Sequence, residues 1–248
     1  MNERPAGVHA GGFSERDSAA EAISLSDVRF AWPGERFALS IDHFAIARDR
    51  HVLLTGPSGS GKSTLLSLIA GIGTPQRGRV QVLGCDLAAM PGAKRDRFRA
   101  EHMGIIFQMF NLLPYGSVID NVLLPLSFAP QRRARVAQRQ GLAAEARRLL
   151  SALSLDEALH GARSAELSVG QQQRVAAARA LIGAPEIIIA DEPTSALDRA
   201  RHDEFLELLF AQCTAAGTTL IMVSHDETLA TRFADVRALD DVAATETR

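Results

Sequence analysis

An α/β fold with a mostly parallel central sheet is what this 248-residue chain predicts. Three observations carry the prediction. Short apolar runs, His51–Thr55, Glu186–Ala190 and Thr218–Val223, have the length and continuity of strands buried on both faces. A helical stretch from about 199 to 216 lies between the last two, with Phe205, Leu208, Leu209 and Cys213 on one stripe. A glycine-rich loop separates the first run from a helical stretch, Lys62–Ala70, that Gly71 ends. Strands alternating with helices bury a parallel sheet between two layers.

Residues 1–22 are rich in Gly, Ala, Ser and charge and read as a flexible tail. Order is expected from Ile23. Phe37, Leu39 and Ile41 alternate with more polar neighbours, as in a half-buried strand. Gly104–Phe107 is a further short strand. From about 112 to 168 the strand runs stop, and Arg- and Ala-rich helical sequence extends from Arg132 to Leu153. This middle part is expected as a helical subdomain. A short tail is expected from 241 to 248. No internal repeat is visible.

Composition narrows the function. With 46% hydrophobic and 23% charged residues the chain is neither disordered nor fibrous. Lys plus Arg is 27 and Asp plus Glu 29, a net charge of −2, which argues against a nucleic-acid partner. No segment has the apolar length of a membrane span; the best, Val122–Phe128, is short and broken by Pro125. The N-terminus has no signal-peptide core, so a cytoplasmic location is expected. Cys85 and Cys213 form no CxxC and read as small packed residues rather than as a metal site. The histidines show no ligand spacing, and no hydrolase elbow or dinucleotide fingerprint is present.

Gly56-Pro57-Ser58-Gly59-Ser60-Gly61-Lys62-Ser63 fits GxxxxGK[ST] between a strand and a helix. The glycines let backbone N–H groups turn inward around anionic oxygens, and the helix N-terminus adds its positive end. Lys62 reaches toward β- and γ-phosphates, the Ser63 hydroxyl toward Mg²⁺, and Thr64 follows in the first turn. Ile187-Ile-Ile-Ala-Asp191-Glu192 supplies a carboxylate at the end of a buried strand, the position of a Walker-B Asp. Glu192 next to it is a candidate general base for the attacking water.

Leu167-Ser168-Val169-Gly170-Gln171-Gln-Gln-Arg174 has no use in a generic P-loop kinase or GTPase. It resembles the LSGGQ signature of the ATP-binding cassette (ABC) ATPases, with Val169 at the first signature Gly. Other segments match the same family in order. Gln108 resembles the Q-loop, Ser195-Ala196-Leu197-Asp198 the D-loop and His225 the switch histidine. Val28–Gly34 resembles the aromatic A-loop, with Trp32 where Tyr is usual. The resemblance covers about residues 23–240. Phe107–Pro114 and Asn121–Pro125 resemble the lipoprotein-release and macrolide-export branch, from whose pattern Gly116 and Asp120 depart.

The resemblance implies a P-loop fold with an added antiparallel β portion. It implies ATP hydrolysis with Mg²⁺, the metal near Ser63, Gln108 and Asp191, and catalysis by Glu192, His225, Lys62 and Gln108. It further implies a head-to-tail dimer in which Ser168 and Gly170 of one copy face the ATP of the other. A separate integral-membrane permease is the implied partner, with the chain peripheral on the inner face of the membrane. The alternative is a regulatory ATPase that transports nothing and drives a cell-envelope or repair machine by ATP-dependent dimerisation. Trp32 stacks on adenine or is a core aromatic at a strand end. Phe110–Leu113 lines a groove for a permease helix or packs on the helical subdomain. The cluster Arg132, Arg133, Arg135, Arg139, Arg147 and Arg148 is a solvated helix face or lies near anionic lipid.

Overall fold

The computed structural model describes residues 21–34, 37–194 and 199–247. The tail up to residue 20 and the D-loop Ser195–Asp198 lie outside them. Two five-stranded sheets organise the described residues. The parallel one has the order β6 (Met103–Ile106), β7 (Ile187–Asp191), β8 (Thr219–Ser224), β3 (His51–Thr55), β9 (Asp235–Ala238). The antiparallel one has the order β10 (Ala244–Thr247), β2 (Phe37–Ala47), β1 (Glu21–Ala31), β4 (Arg77–Val82), β5 (Cys85–Asp86).

The three apolar runs of the sequence are the central strands β7, β8 and β3, and their burial on both faces explains their unbroken hydrophobicity. Alternate residues serve two cores. Leu53, Ile188, Leu220 and Met222 face one, with α6 (Val169–Leu181), α7 (Arg199–Ala216) and the middle helices. Val52, Leu54, Ile187, Ile189, Ile221 and Val223 face the other, with α1 (Lys62–Ile69) and the antiparallel sheet. The period of two along each strand thus joins both layers to one sheet.

Between 112 and 168 no named strand occurs; the segment holds α3 (Val118–Leu123), α4 (Pro130–Arg139) and α5 (Leu142–Ala152), with short 3₁₀ turns. α2 (Gly92–His102) precedes β6. Two sequence expectations need correction. The segment from 241, expected as a tail, completes α8 (Leu239–Val242) and forms β10, which pairs with β2 from Ala244↔Ser40 to Thr247↔Phe37. At the other end, Glu21 and Ala22 already belong to β1, where Glu21 pairs with Ala47. A strand whose apolar face is one or two residues long gives little periodic signal, and pairing to a neighbour supplies the rest.

No helix among the described residues is long and apolar enough to cross a membrane. The loops after β3, β6, β7 and β8 all leave the carboxyl ends of neighbouring parallel strands. Ligands of open α/β sheets bind at that edge.

Candidate active site

The loop after β3 is shaped by backbone that favours glycine: φ is 155° at Gly56, 81° at Gly59 and 102° at Gly61. Within this turn the Lys62 chain folds back on its own loop. Its Nζ donates to the Gly56 carbonyl at 2.7 Å and the Pro57 carbonyl at 2.8 Å, and the residue is 7% exposed. The ammonium therefore rests on carbonyls alone, with no ion pair among the described residues. Nearby, the Ser60 hydroxyl is buried without a partner, and α1 starts with neither a side-chain cap nor an acid in its first turn. An unpaired cation, an orphan hydroxyl and an uncapped helix N-terminus converge on one anion-sized need, which phosphate oxygens meet.

Across the loop, Ser63 Oγ donates to Asp191 Oδ2 at 3.1 Å. Burial pushes the Asp191 carboxyl above its ordinary value; the Ser63 hydrogen bond and the Lys62 charge oppose that, and Glu192 adds to it. Asp191 leaves β7 half-buried, and Glu192 follows in the left-handed region at φ 47°. That turn swings the Glu192 carboxylate toward the end of β8, the neighbouring strand. There Oε1 accepts from the His225 backbone N–H at 3.0 Å and lies 2.8 Å from His225 Nδ1; Oε2 accepts from Ser224 Oγ at 3.4 Å. Asp226, not His225, caps the following 3₁₀ turn by accepting from the Thr228 N–H. His225 is thus free of the capping role and its ring is 59% exposed toward the site.

Gln108, on the loop after β6, lines the same cavity of about 500 Å³ as Ser58, Gly59, Lys62, Asp191, Glu192 and His225. The structure therefore brings together four loops that lie far apart in sequence. Trp32 sits beside them. Its Nε1 donates to Thr64 Oγ1 at 3.4 Å, and its ring meets Phe30 edge-on at 4.9 Å. It is half-buried at the strand end, with its polar edge on the first turn of α1.

The signature segment lies elsewhere. Ser168 is the N-cap of α6, its Oγ accepting from the Gln171 N–H while the Gln171 side chain accepts from the Ser168 N–H. The helix starts at Val169, where this capping box closes the first turn. Leu167 is buried, Val169 is 47% exposed, and Ser168, Gly170 and Gln171 line a separate cavity of about 260 Å³. None of them lines the Lys62 cavity within one chain.

Sequence reasoning missed the buried polar residues. Arg132, expected on a solvated face, is 1% exposed. Its guanidinium donates to the carbonyls of Ala100 and Met103, at the end of α2, and of Ala180 and Ile182, at the end of α6. Burial above all, with nearby Arg135, lowers its pKa to about 10. Arg133, Arg139, Arg147 and Arg148 are exposed, as a solvated face requires. Arg179 is also buried, inside an alanine run of α6. A charged residue within such a run was the one available signal.

Of Phe110–Leu113, Phe110 is buried and Leu112 packs half-buried on the core. Exposed apolar side chains around this segment are Phe107, Met109 and Tyr115, with Phe128 further along the chain. Phe107 and Phe128 line an open groove of about 750 Å³ with Met103, Ile105, Leu124 and Pro125.

The profile of the family described as ABC transporter matches residues 39–195. A relative from Porphyromonas gingivalis, "Lipoprotein-releasing system ATP-binding protein LolD", is 40% identical over 187 residues, 75% of this chain and 82% of that protein. "Macrolide export ATP-binding/permease protein MacB" of Rhodopseudomonas palustris is 41% identical over 227 residues, 90% of this chain but 33% of that larger protein. Among solved structures, the dimeric bacterial ABC transporter cassette MJ0796 matches with a TM-score of 0.74 at 30% identity, covering 87% of this chain and 93% of that one. The same cassette has also been seen as a post-hydrolysis dimer bound to ADP and Pi.

Proposed function

The chain belongs to the ABC transporter family as an ATP-binding subunit, and from that premise we propose which residues perform its ATP hydrolysis and what that hydrolysis drives. The observation that carries the reading is the single cavity in which Lys62, Ser63, Gln108, Asp191, Glu192 and His225 meet. The loop 56–61 and Lys62 hold the phosphates of ATP, the Lys62 ammonium exchanging two carbonyls for phosphate oxygens. Trp32 presents its ring to the adenine. Glu192 orients a water against the γ-phosphorus and takes its proton. The new O–P bond forms as the bond to the β-phosphate oxygen breaks, giving ADP and phosphate. His225, held through Nδ1 on Glu192, aligns that carboxylate and faces the γ-phosphate.

Ser63 Oγ and Asp191 Oδ2 are hard oxygen donors at 3.1 Å from each other, a set that suits Mg²⁺ shared with phosphate, and the Gln108 amide lines the same space. Among the described residues no group of three or more His, Cys, Asp or Glu side chains is placed to hold a metal ion by itself, and a Mg²⁺ completed by phosphate and water needs none. When bound, the metal neutralises charge developing on the phosphates.

Because the signature lines a different cavity from Lys62, a complete site requires a second copy packed head to tail, Ser168 and Gly170 of each facing the other's ATP. Closing and opening of this dimer energises an integral-membrane permease that the chain binds at the membrane's inner face. Export or lipoprotein extrusion is the transport this drives, from the likeness to proteins named for lipoprotein release and macrolide export.

Glu192→Gln tests the reading. It preserves shape and hydrogen bonding but accepts no proton. ATP binding persists, turnover falls about 10²- to 10⁴-fold, and an ATP-bound dimer accumulates in size-exclusion chromatography. Full turnover in this variant, or a monomer under saturating ATP, refutes the assignment.

A further inference from the structure

The loop that carries Gln108 contains two consecutive left-handed residues, Phe110 at φ 55° and Asn111 at φ 50°. A bulky aromatic in that region is uncommon, and a pair persists only where the surroundings impose it. Phe110 packs in the core, its N–H donates to the Phe107 carbonyl at 3.0 Å and the Asn111 N–H to the Met109 carbonyl at 2.6 Å, and one buried side chain grips the carbonyls of both residues. Arg179 Nη1 donates to the Asn111 carbonyl at 2.7 Å, and Arg179 Nη2 donates to the Phe110 carbonyl. The guanidinium is buried, so its fork spends itself on these two consecutive carbonyls. Further along, Asn121 fixes the loop's exit, accepting from the Leu113 N–H at 2.7 Å and donating to the Leu113 carbonyl at 3.1 Å.

Arg179 stands on α6, whose N-cap is the signature serine, Ser168. The C-terminal turn of α6 lies directly on β6, the strand that leads into the loop. A Cβ placed on Gly104 of β6 would come within 2.1 Å of the Ala180 carbonyl oxygen. Helix and strand are therefore in backbone contact, and the base of the loop packs directly against the helix that carries Arg179. Both Arg179 and Gly104 also line the apolar groove of Phe107 and Phe128.

We propose that Arg179 is a positioning residue for ATP hydrolysis: its fork holds Phe110 and Asn111 in the left-handed turn that delivers Gln108 to the Lys62–Asp191 cavity, and joins that loop to the signature helix as one body. The proposal rests on the reading of Gln108 as part of the active site. Lysine cannot replace this arginine, because a single ammonium on a flexible stem lacks the planar pair of donors that two adjacent carbonyls require.

The test is a double-mutant cycle of Arg179→Lys and Gln108→Ala, with kcat counted per bound nucleotide and ATP affinity measured separately. Arg179→Lys keeps the Kd for ATP and lowers kcat by about 10- to 100-fold, the scale of a misplaced group. In the Gln108→Ala background it lowers kcat no further, because the two act through one element. A merely structural arginine would instead reduce the number of binding sites and leave kcat per site unchanged. Asn111→Val reaches the same turn without entering the interior, since a β-branched residue opposes φ 50°. It reproduces the kcat loss with Kd intact, and serves alone if Arg179→Lys does not fold. Losses that multiply in the double variant, or wild-type kcat per site in Arg179→Lys or Asn111→Val, overturn the clamp. Wild-type kcat in Gln108→Ala overturns the reading of Gln108 instead.

Discussion

Lys62 shows how a single residue is committed before any ligand arrives. An ammonium that is 7% exposed and bonded only to the Gly56 and Pro57 carbonyls is held in place by the loop whose anion it serves. Lys62→Ala removes a charge-assisted contact and should cut kcat/KM for ATP by about 10²- to 10³-fold. The melting temperature without nucleotide should change little, while the upward shift that saturating ATP gives the wild type should vanish. A retained ATP-induced shift would mean that the phosphates bind elsewhere. Lys62, Ser63, Asp191 and Glu192 were all legible in the sequence, because each is tied to a local backbone form: a glycine turn, a helix start, a strand end. Arg132 and Arg179 were not, because their partners are carbonyls distant in sequence, brought near only by packing.

Among the elements, α4 is attached largely through polar contacts. Glu101 of α2 accepts from the Gln131 and Arg132 backbone N–H groups at 3.0 Å, capping α4 from outside. Arg132 returns the favour by capping the ends of α2 and α6. One residue thus joins the helical subdomain to the parallel-sheet layer. Arg132→Met keeps the volume but leaves buried carbonyls without donors, which should cost about 3 kcal/mol. In a chain of this size that is a fall in Tm on the order of 10 °C. Urea unfolding followed by circular dichroism would check it; an unchanged midpoint would show that water satisfies those carbonyls. The exposed arginines of α4 and α5 behave differently. Arg148, for instance, pairs with Glu145 at 2.8 Å on the surface, where replacement should cost well under 1 kcal/mol.

For the molecule as a whole, two surfaces remain unfinished in a single copy. One is the signature face, which the proposed head-to-tail dimer would cover. The other is the groove in which Phe107 is 38% and Phe128 67% exposed. Exposed aromatics grouped along an apolar groove mark a contact surface, and the permease is the partner that this family supplies. Phe128→Asp should leave basal ATPase and the Glu192→Gln dimer unchanged, because Phe128 touches neither the Lys62 cavity nor the signature. It should abolish co-purification with the permease from detergent. Retained co-purification would place the permease on another face. Phe110 is only 6% exposed and belongs to the core, so the exposed apolar surface near Gln108 is this groove rather than Phe110–Leu113.

Read without a fold, the chain determined its central strands, its phosphate loop, its Walker-B pair and its family resemblance. Each of these is written in residues that are neighbours along the chain, where glycine, hydroxyl and carboxylate preferences act over a few bonds. Tertiary structure decided the rest. It turned residues 244–247 from a tail into a strand, because β2 offered an open edge. It buried Arg132 and Arg179 and aimed them at carbonyls of other elements. It also placed Glu192 against His225 across two adjacent strands, and put the signature on a different cavity from Lys62. Those outcomes depend on which surfaces meet once the sheet forms, and hydrogen-bond satisfaction in a packed interior is settled by distance in space, not by position in the chain.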